Sequence, residues 1–170
     1  MLTPLRPSLR LALRATATAT RGFSSTPTPA AVRIFDPITR RDDFHTTTRL
    51  ATTANTPLIA FWTASFCPSC RSIKPKIMEY LENRDEGLPD IMFCEVELDA
   101  QGGNVAELGG RYMISTLPTL LSFQRGEPVQ DSRWTDIRAM SKKERIAEWI
   151  EEQAKGKGAT GNISFGGLFR

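Results

Sequence analysis

Leu58-Ile59-Ala60-Phe61-Trp62 follows Pro57 as an unbroken apolar run, and after a short connection it leads into Cys67-Pro68-Ser69-Cys70. A run without polar alternation predicts a strand buried on both faces, which requires a sheet covered by helices on each side. From Cys67 to about Asn83 the pattern becomes helical, with Ile73, Ile77 and Leu81 one turn apart on a single face. Pro75 lies inside that helix and should kink it, at a cost on the order of 3 kcal/mol unless the fold uses the bend. A cysteine at this strand-to-helix junction meets the unpaired amides and the positive dipole end of the helix, both of which favour thiolate over thiol. Two intervening residues let Cys70 attack a mixed disulfide formed at Cys67. Pro68 falls in the first turn, where its missing amide hydrogen costs nothing. Cys67 and Cys70 are therefore the candidate catalytic residues, as nucleophile and resolver.

The rest of the composition narrows the alternatives. Beyond that pair the chain has only Cys94 and a single histidine, His45. A tetrahedral zinc site needs about four ligands, so no metal is expected, and three cysteines do not make a secreted disulfide scaffold. Cys94 shares strand parity with Met92, Val96 and Leu98 and reads as a buried, inert thiol, while His45 stands among polar neighbours and reads as solvated. No apolar run reaches the roughly 20 residues of a membrane-spanning helix, so no membrane association is expected. Of the 22 Lys and Arg, four arginines fall in residues 1–23, which contain no acid; the remainder of the chain is near neutral, which gives no support to a nucleic-acid partner.

That leader also places Leu2, Leu5, Leu9 and Leu13 on one helical face, the make-up of a mitochondrial transit peptide, with Arg21-Gly22-Phe23-Ser24-Ser25 as a processing site; a basic tail without fixed structure is the alternative. Residues 24–31 read as an extended linker, 32–155 as the folded domain, and 156–170 as a flexible glycine-rich tail. Within the domain, Val32 to Phe35 is a strand candidate and Ile38 to Leu50 a helix with Phe44 and Leu50 facing inward. Ile91 to Leu98 is a strand and Asn104 to Tyr112 a short helix. Thr119 to Gln124 and Pro128 to Trp134 flank Arg125-Gly126-Glu127 as a hairpin. The last helix opens at Ser141-Lys142-Lys143-Glu144, a capping-box pattern, and buries Ile146, Trp149 and Ile150. The order βαβαβαββα is α/β, a mixed sheet between layers of helices.

Four separated segments together resemble the thioredoxin family over roughly residues 32–153: Phe61 through Cys70, Pro75 in the helix, Glu95-Val96-Glu97-Leu98-Asp99, and Tyr112 through Thr119. The resemblance implies the thioredoxin fold, a central mixed β-sheet flanked by helices. It implies that Pro118 is cis, that the backbone of Leu117 pairs with an extended substrate segment beside Cys67, and that Phe66 and Pro68 line the same surface. It further implies disulfide-containing protein substrates, a flavin- and NADPH-dependent thioredoxin reductase as partner, no cofactor held by the chain itself, a monomer, and, with the leader, the mitochondrial matrix. The function implied is that of a protein thiol–disulfide oxidoreductase of the reductase type; a partner-binding or assembly module with little redox turnover is the alternative.

The chain departs from the family pattern around those sulfurs. Pro68-Ser69 stands in place of Gly-Pro, Phe66 in place of a tryptophan, Thr135 near a glycine position, and Asp136 to Arg138 as an insertion. Phe61 occupies the position where the family buries an aspartate behind the second cysteine. Glu95, on the adjacent strand, either supplies the missing carboxylate as proton acceptor for Cys70 or is a solvated surface residue, with water taking the proton.

Overall fold

A computed structural model describes residues 32–156. The transit peptide expected over 1–23, the linker over 24–31 and the tail beyond residue 156 lie outside the described residues. Five strands form one sheet: β1 (Val32–Ile34), β2 (Leu58–Thr63), β3 (Ile91–Glu97), β4 (Thr119–Gln124) and β5 (Glu127–Pro128). Their order across the sheet is β1-β3-β2-β4-β5. β1, β3 and β2 run parallel, while β4 and β5 are antiparallel to their neighbours. The sheet is therefore mixed, and β2 is its centre.

Every residue of β2 is buried. Its alternate side chains feed two cores, as the unbroken apolar run requires. Leu58, Ala60 and Trp62 pack with Met92, Cys94, Val96, Phe44, Leu108 and Tyr112 on one face, under α1 (Arg41–Ala54) and α3 (Ala106–Arg111). Ile59 and Phe61 pack with Cys70, Ile73, Ile77, Met140, Ile146 and Ile150 on the other, under α2 (Pro68–Glu82), α4 (Ile137–Met140) and α5 (Lys143–Ala154). The first face is rich in aromatic contacts. Phe44 lies 5.4 Å from both Trp62 and Phe123, and Tyr112 meets Phe123 edge-on at 5.1 Å.

Five expectations about elements and their buried faces are corrected. Ile38 does not begin a helix. Its amide donates to the Glu95 carbonyl at 2.8 Å and its own carbonyl accepts from Glu97 at 3.0 Å, so it extends the edge of β3, and α1 begins at Arg41. Leu50 is 41% exposed, because the buried stripe of α1 is Phe44, Thr47, Thr48 and Ala51. Thr48 can sit in that stripe because its hydroxyl donates to the Phe44 carbonyl at 2.8 Å.

The strand expected over Pro128 to Trp134 is broken. After the two-residue turn Arg125-Gly126, at positive φ values of 52° and 87°, β5 lasts two residues before the chain coils through a 3-10 turn at Gln130–Ser132. Ser132 stabilises that detour by accepting from the Ser122 amide at 2.9 Å and donating to the Val129 carbonyl at 2.6 Å. The chain rejoins the sheet at a bridge between Leu120 and Trp134.

The capping box at Ser141 also fails. Its hydroxyl donates backwards to the Ile137 carbonyl at 2.8 Å. The capping residue is Asp136, whose Oδ1 accepts from the Arg138 and Ala139 amides at 2.9 and 3.1 Å and so starts α4, one short helix earlier. Trp149 is half-buried rather than core, stacked 5.7 Å from Trp134.

One glycine is required by close approach. A Cβ on Gly103 would stand 2.2 Å from the Thr39 carbonyl oxygen and 2.8 Å from the Arg40 Cα, and backbone cannot yield as a side chain can. Gly103→Ala is expected to cost about 1–3 kcal/mol. Urea unfolding should show a lower midpoint at an unchanged slope.

Candidate functional site

Cys67 is the N-cap of α2, in extended conformation at φ −87°, ψ 106°, with Pro68 at the first helical position. The turn into it is closed by its own amide, which donates to the Ala64 carbonyl at 3.0 Å. The Cys70 amide donates to Cys67 Sγ at 3.2 Å, so the first sulfur receives one of the helix's orphan N–H groups. The two sulfurs form a disulfide, with S–S 2.16 Å and Cα atoms 5.3 Å apart. The cysteines are 6% and 3% exposed. Phe66, 72% exposed, and Pro68, also exposed, flank this crosslink at the surface.

Leu117-Pro118 is a cis peptide bond. Leu117 is half-buried against the cluster that contains both cysteines, and Pro118 is buried immediately before β4. Arg133 holds the segment leading to it by donating from Nη1 to the Met113 carbonyl at 3.0 Å and from Nη2 to the Tyr112 carbonyl at 2.9 Å. The structure thus brings Cys67, Cys70 and Leu117 into one packed region.

Behind Cys70 the arrangement is more specific than the sequence suggested. Phe61 is fully buried in the same cluster as Cys70. In the parallel register of β2 and β3 it lies beside Glu95. Glu95 is 7% exposed, so the solvated alternative for this residue is contradicted. A carboxylate so placed needs compensation. Its Oε1 accepts from the Thr63 hydroxyl at 3.3 Å, and its Oε2 pairs with Lys74 Nζ at 2.5 Å. Both residues line a cavity of about 210 Å³ that also reaches Cys70 and Arg71.

Lys74 was not anticipated. Cys70, Ile73, Lys74 and Ile77 stand at i, i+3, i+4 and i+7, so a charge on the buried stripe of α2 was the available signal.

Cys94 is completely buried, and burial alone pushes its thiol far above the usual range. After reduction, the native protein should expose two thiols to a disulfide reagent and the third only in denaturant.

A family model described as Thioredoxin matches residues 38–152. Thioredoxin-2 of Pyricularia oryzae is 31% identical over 115 residues, covering 68% of this chain and 58% of that protein. The protein named "Thioredoxin O2, mitochondrial" of Arabidopsis thaliana is 31% identical over 84 residues, 49% of each chain. The chain therefore spans only about half the length of these curated relatives. Among solved structures, a wild-type thioredoxin h of poplar superposes with a TM-score of 0.54 at 19% identity, over 71% of this chain and 95% of that one, a likeness of fold.

Proposed function

The chain belongs to the thioredoxin family, and from that premise we propose that it is a thiol–disulfide oxidoreductase that reduces protein disulfides through Cys67 and Cys70. The observation that carries the reading is the placement of Cys67 Sγ at the start of α2, where the Cys70 amide reaches it. In the reduced protein that contact favours a thiolate. Cys67 attacks one sulfur of a substrate disulfide, forming a mixed disulfide and releasing the other substrate sulfur as a thiolate that takes up a proton. Cys70 then attacks Cys67 Sγ, releasing the second substrate thiol and leaving the Cys67–Cys70 disulfide. Two electrons pass to the substrate. A flavin- and NADPH-dependent thioredoxin reductase restores the dithiol.

Leu117 and cis-Pro118 supply the edge on which an extended substrate segment lies, and exposed Phe66 and Pro68 border it. The alternative of a binding module is disfavoured by the presence of Cys70, which holding a partner does not require. The test is insulin reduction by dithiothreitol. The protein should accelerate it well above the rate without protein, and no acceleration would overturn the reading.

Glu95 is the proton acceptor in this scheme, a role supported by its burial in the cavity that also reaches Cys70. Glu95→Gln should slow resolution of a Cys67 mixed disulfide on the order of 10²-fold, and an unchanged rate from about pH 6 to 9 would assign the proton to water instead.

The acid-free leader with its four arginines and the mitochondrial relative support a mitochondrial site of action, with the matrix as the compartment. Protease protection of the full chain in isolated mitochondria, before and after outer-membrane rupture, tests it. Digestion of the imported chain once the outer membrane alone is opened would contradict the matrix.

A further inference from the structure

We infer that Asp99 is a positioning residue for Cys67, acting through Ser65 to hold the loop that delivers the nucleophile to the start of α2. The inference rests on the exchange role proposed for Cys67.

The loop in question is Ala64-Ser65-Phe66, between the end of β2 and Cys67, and Ser65 and Phe66 are exposed on it. An exposed loop of this kind offers little packing to fix the residue that follows it. Its anchor comes from the turn that follows β3. The Ser65 amide donates to both carboxylate oxygens of Asp99 at 2.9 Å each, and the Ser65 hydroxyl donates to Oδ2 as well. Hydrogen bonds to an ionised acceptor are the strong kind. In keeping with that, the Ser65 hydroxyl and amide hold the Asp99 carboxyl below the usual carboxylate range.

Asp99 is itself held in place. It follows β3, whose Glu97 is in register with Thr63 of β2. The Leu98 amide donates to the Thr63 carbonyl at 2.9 Å, and the Ala100 amide closes a turn onto the Glu97 carbonyl at 3.2 Å. The carboxylate therefore clamps the exit of β3 to the exit of β2. Two residues beyond the clamp, Cys67 needs its extended N-cap conformation for Sγ to receive the Cys70 amide. The loss of the clamp frees the loop, and the sulfur loses part of the contact that favours its thiolate.

Asp99 also has a charge, which by itself opposes a nearby thiolate. The other charged groups on this side are Arg71 and Lys74 of α2 and Glu95 and Glu97 of β3, which line the cavity beside Ser65 and Cys70. Clamp and charge act in opposite directions, so two substitutions separate them. Asp99→Asn keeps an oxygen for Ser65 and removes the charge; Asp99→Ala removes both.

The test uses the full chain in a Cys70→Ser background. The measurements are the alkylation rate of Cys67 at neutral pH and the titration of its thiolate by ultraviolet absorbance, with thermal unfolding recorded in parallel. Asp99→Ala should slow alkylation about threefold, the size of a partly lost helix-terminus interaction, and shift the titration to higher pH. Asp99→Asn should restore the parent rate or exceed it. Equal rates in the two variants, or an Asp99→Ala protein that alkylates as fast as its parent whatever its melting temperature, would overturn the inference. Because the readout is the thiol itself, it is independent of whether the parent protein reduces insulin, which tests the proposed function separately.

Discussion

Cys67→Ser should reduce insulin no faster than dithiothreitol alone, a loss of at least about 10²-fold relative to the parent protein. The reason is chemical rather than structural. Serine fits the N-cap position as well as cysteine does, so α2 keeps its start. Its hydroxyl, however, is not ionised near neutral pH and cannot enter a disulfide. Cys70→Ser should behave differently, because the nucleophile remains while the resolver is lost. That variant should accumulate a mixed disulfide with its substrate through Cys67, visible as an adduct that reductant removes. The two cysteines are thus expected to give distinct failures, one without attack and one without release. Equal turnover by the parent and Cys67→Ser would show that any acceleration comes from elsewhere in the molecule.

Arg84→Ala should be the most destabilising single change outside the two cores, at about 3–5 kcal/mol, because it leaves a partly buried carboxylate without its partner. The Arg84 side chain is 1% exposed and that of Glu151 16%. Arg84 Nε donates to Oε1 at 2.6 Å and Nη2 to Oε2 at 2.9 Å, a two-pronged contact that ties the end of α2 to α5. Nη2 also reaches the Pro89 carbonyl at 2.7 Å, and the Tyr80 hydroxyl donates to Glu151 Oε1 at 2.6 Å. Burial and the Glu151 contact push the Tyr80 hydroxyl up to about 12. For Glu151, burial alone would raise the carboxyl, but the bonds from Arg84 and Tyr80 outweigh it and hold the group below its usual range.

A lowered folded-state value means that the stabilisation is present above the ordinary carboxylate range, near pH 4, and fades as pH falls through the folded value. The gap in stability between the parent and Arg84→Ala should therefore narrow on acidification. At neutral pH the melting temperature should fall by about 10–20 °C. Arg84→Met combined with Glu151→Leu should cost much less than Arg84→Ala, since it removes both charges and keeps the packing. An Arg84→Ala protein as stable as the parent would place the contact at the solvated surface in energetic terms.

The sheet was legible where one chemical rule dominates. β2 had to be buried on both faces because it offers water nothing, and the shared parity of Met92, Cys94 and Val96 correctly read Cys94 as a core residue of β3. The dithiol was legible because its chemistry depends on local spacing alone. The misreadings arose where a residue serves an element other than the one its neighbours suggest. Ile38 looks like the first apolar position of a helix, but its backbone completes the edge of β3. Ser141 and Glu144 have the spacing of a capping box, but Asp136 had already started a short helix upstream.

The environment of Cys70 was only half legible. The family resemblance set Glu95 beside the position of Phe61, but its partner lies on a helix 21 positions earlier in the chain, and a lysine is ordinarily solvated. Only the packing of α2 on β3 brings Lys74 Nζ to the carboxylate. The Ser65–Asp99 clamp was equally hidden, since it joins two loops by a contact that neither segment requires locally.

The most direct test of the reductase reading is the reduction potential of the Cys67–Cys70 couple, measured by equilibrating the full chain against redox buffers and quantifying its disulfide. Reductase function predicts a value near that of thioredoxin, about −270 mV; a value between about −120 and −180 mV would make the protein an oxidant or isomerase and contradict it.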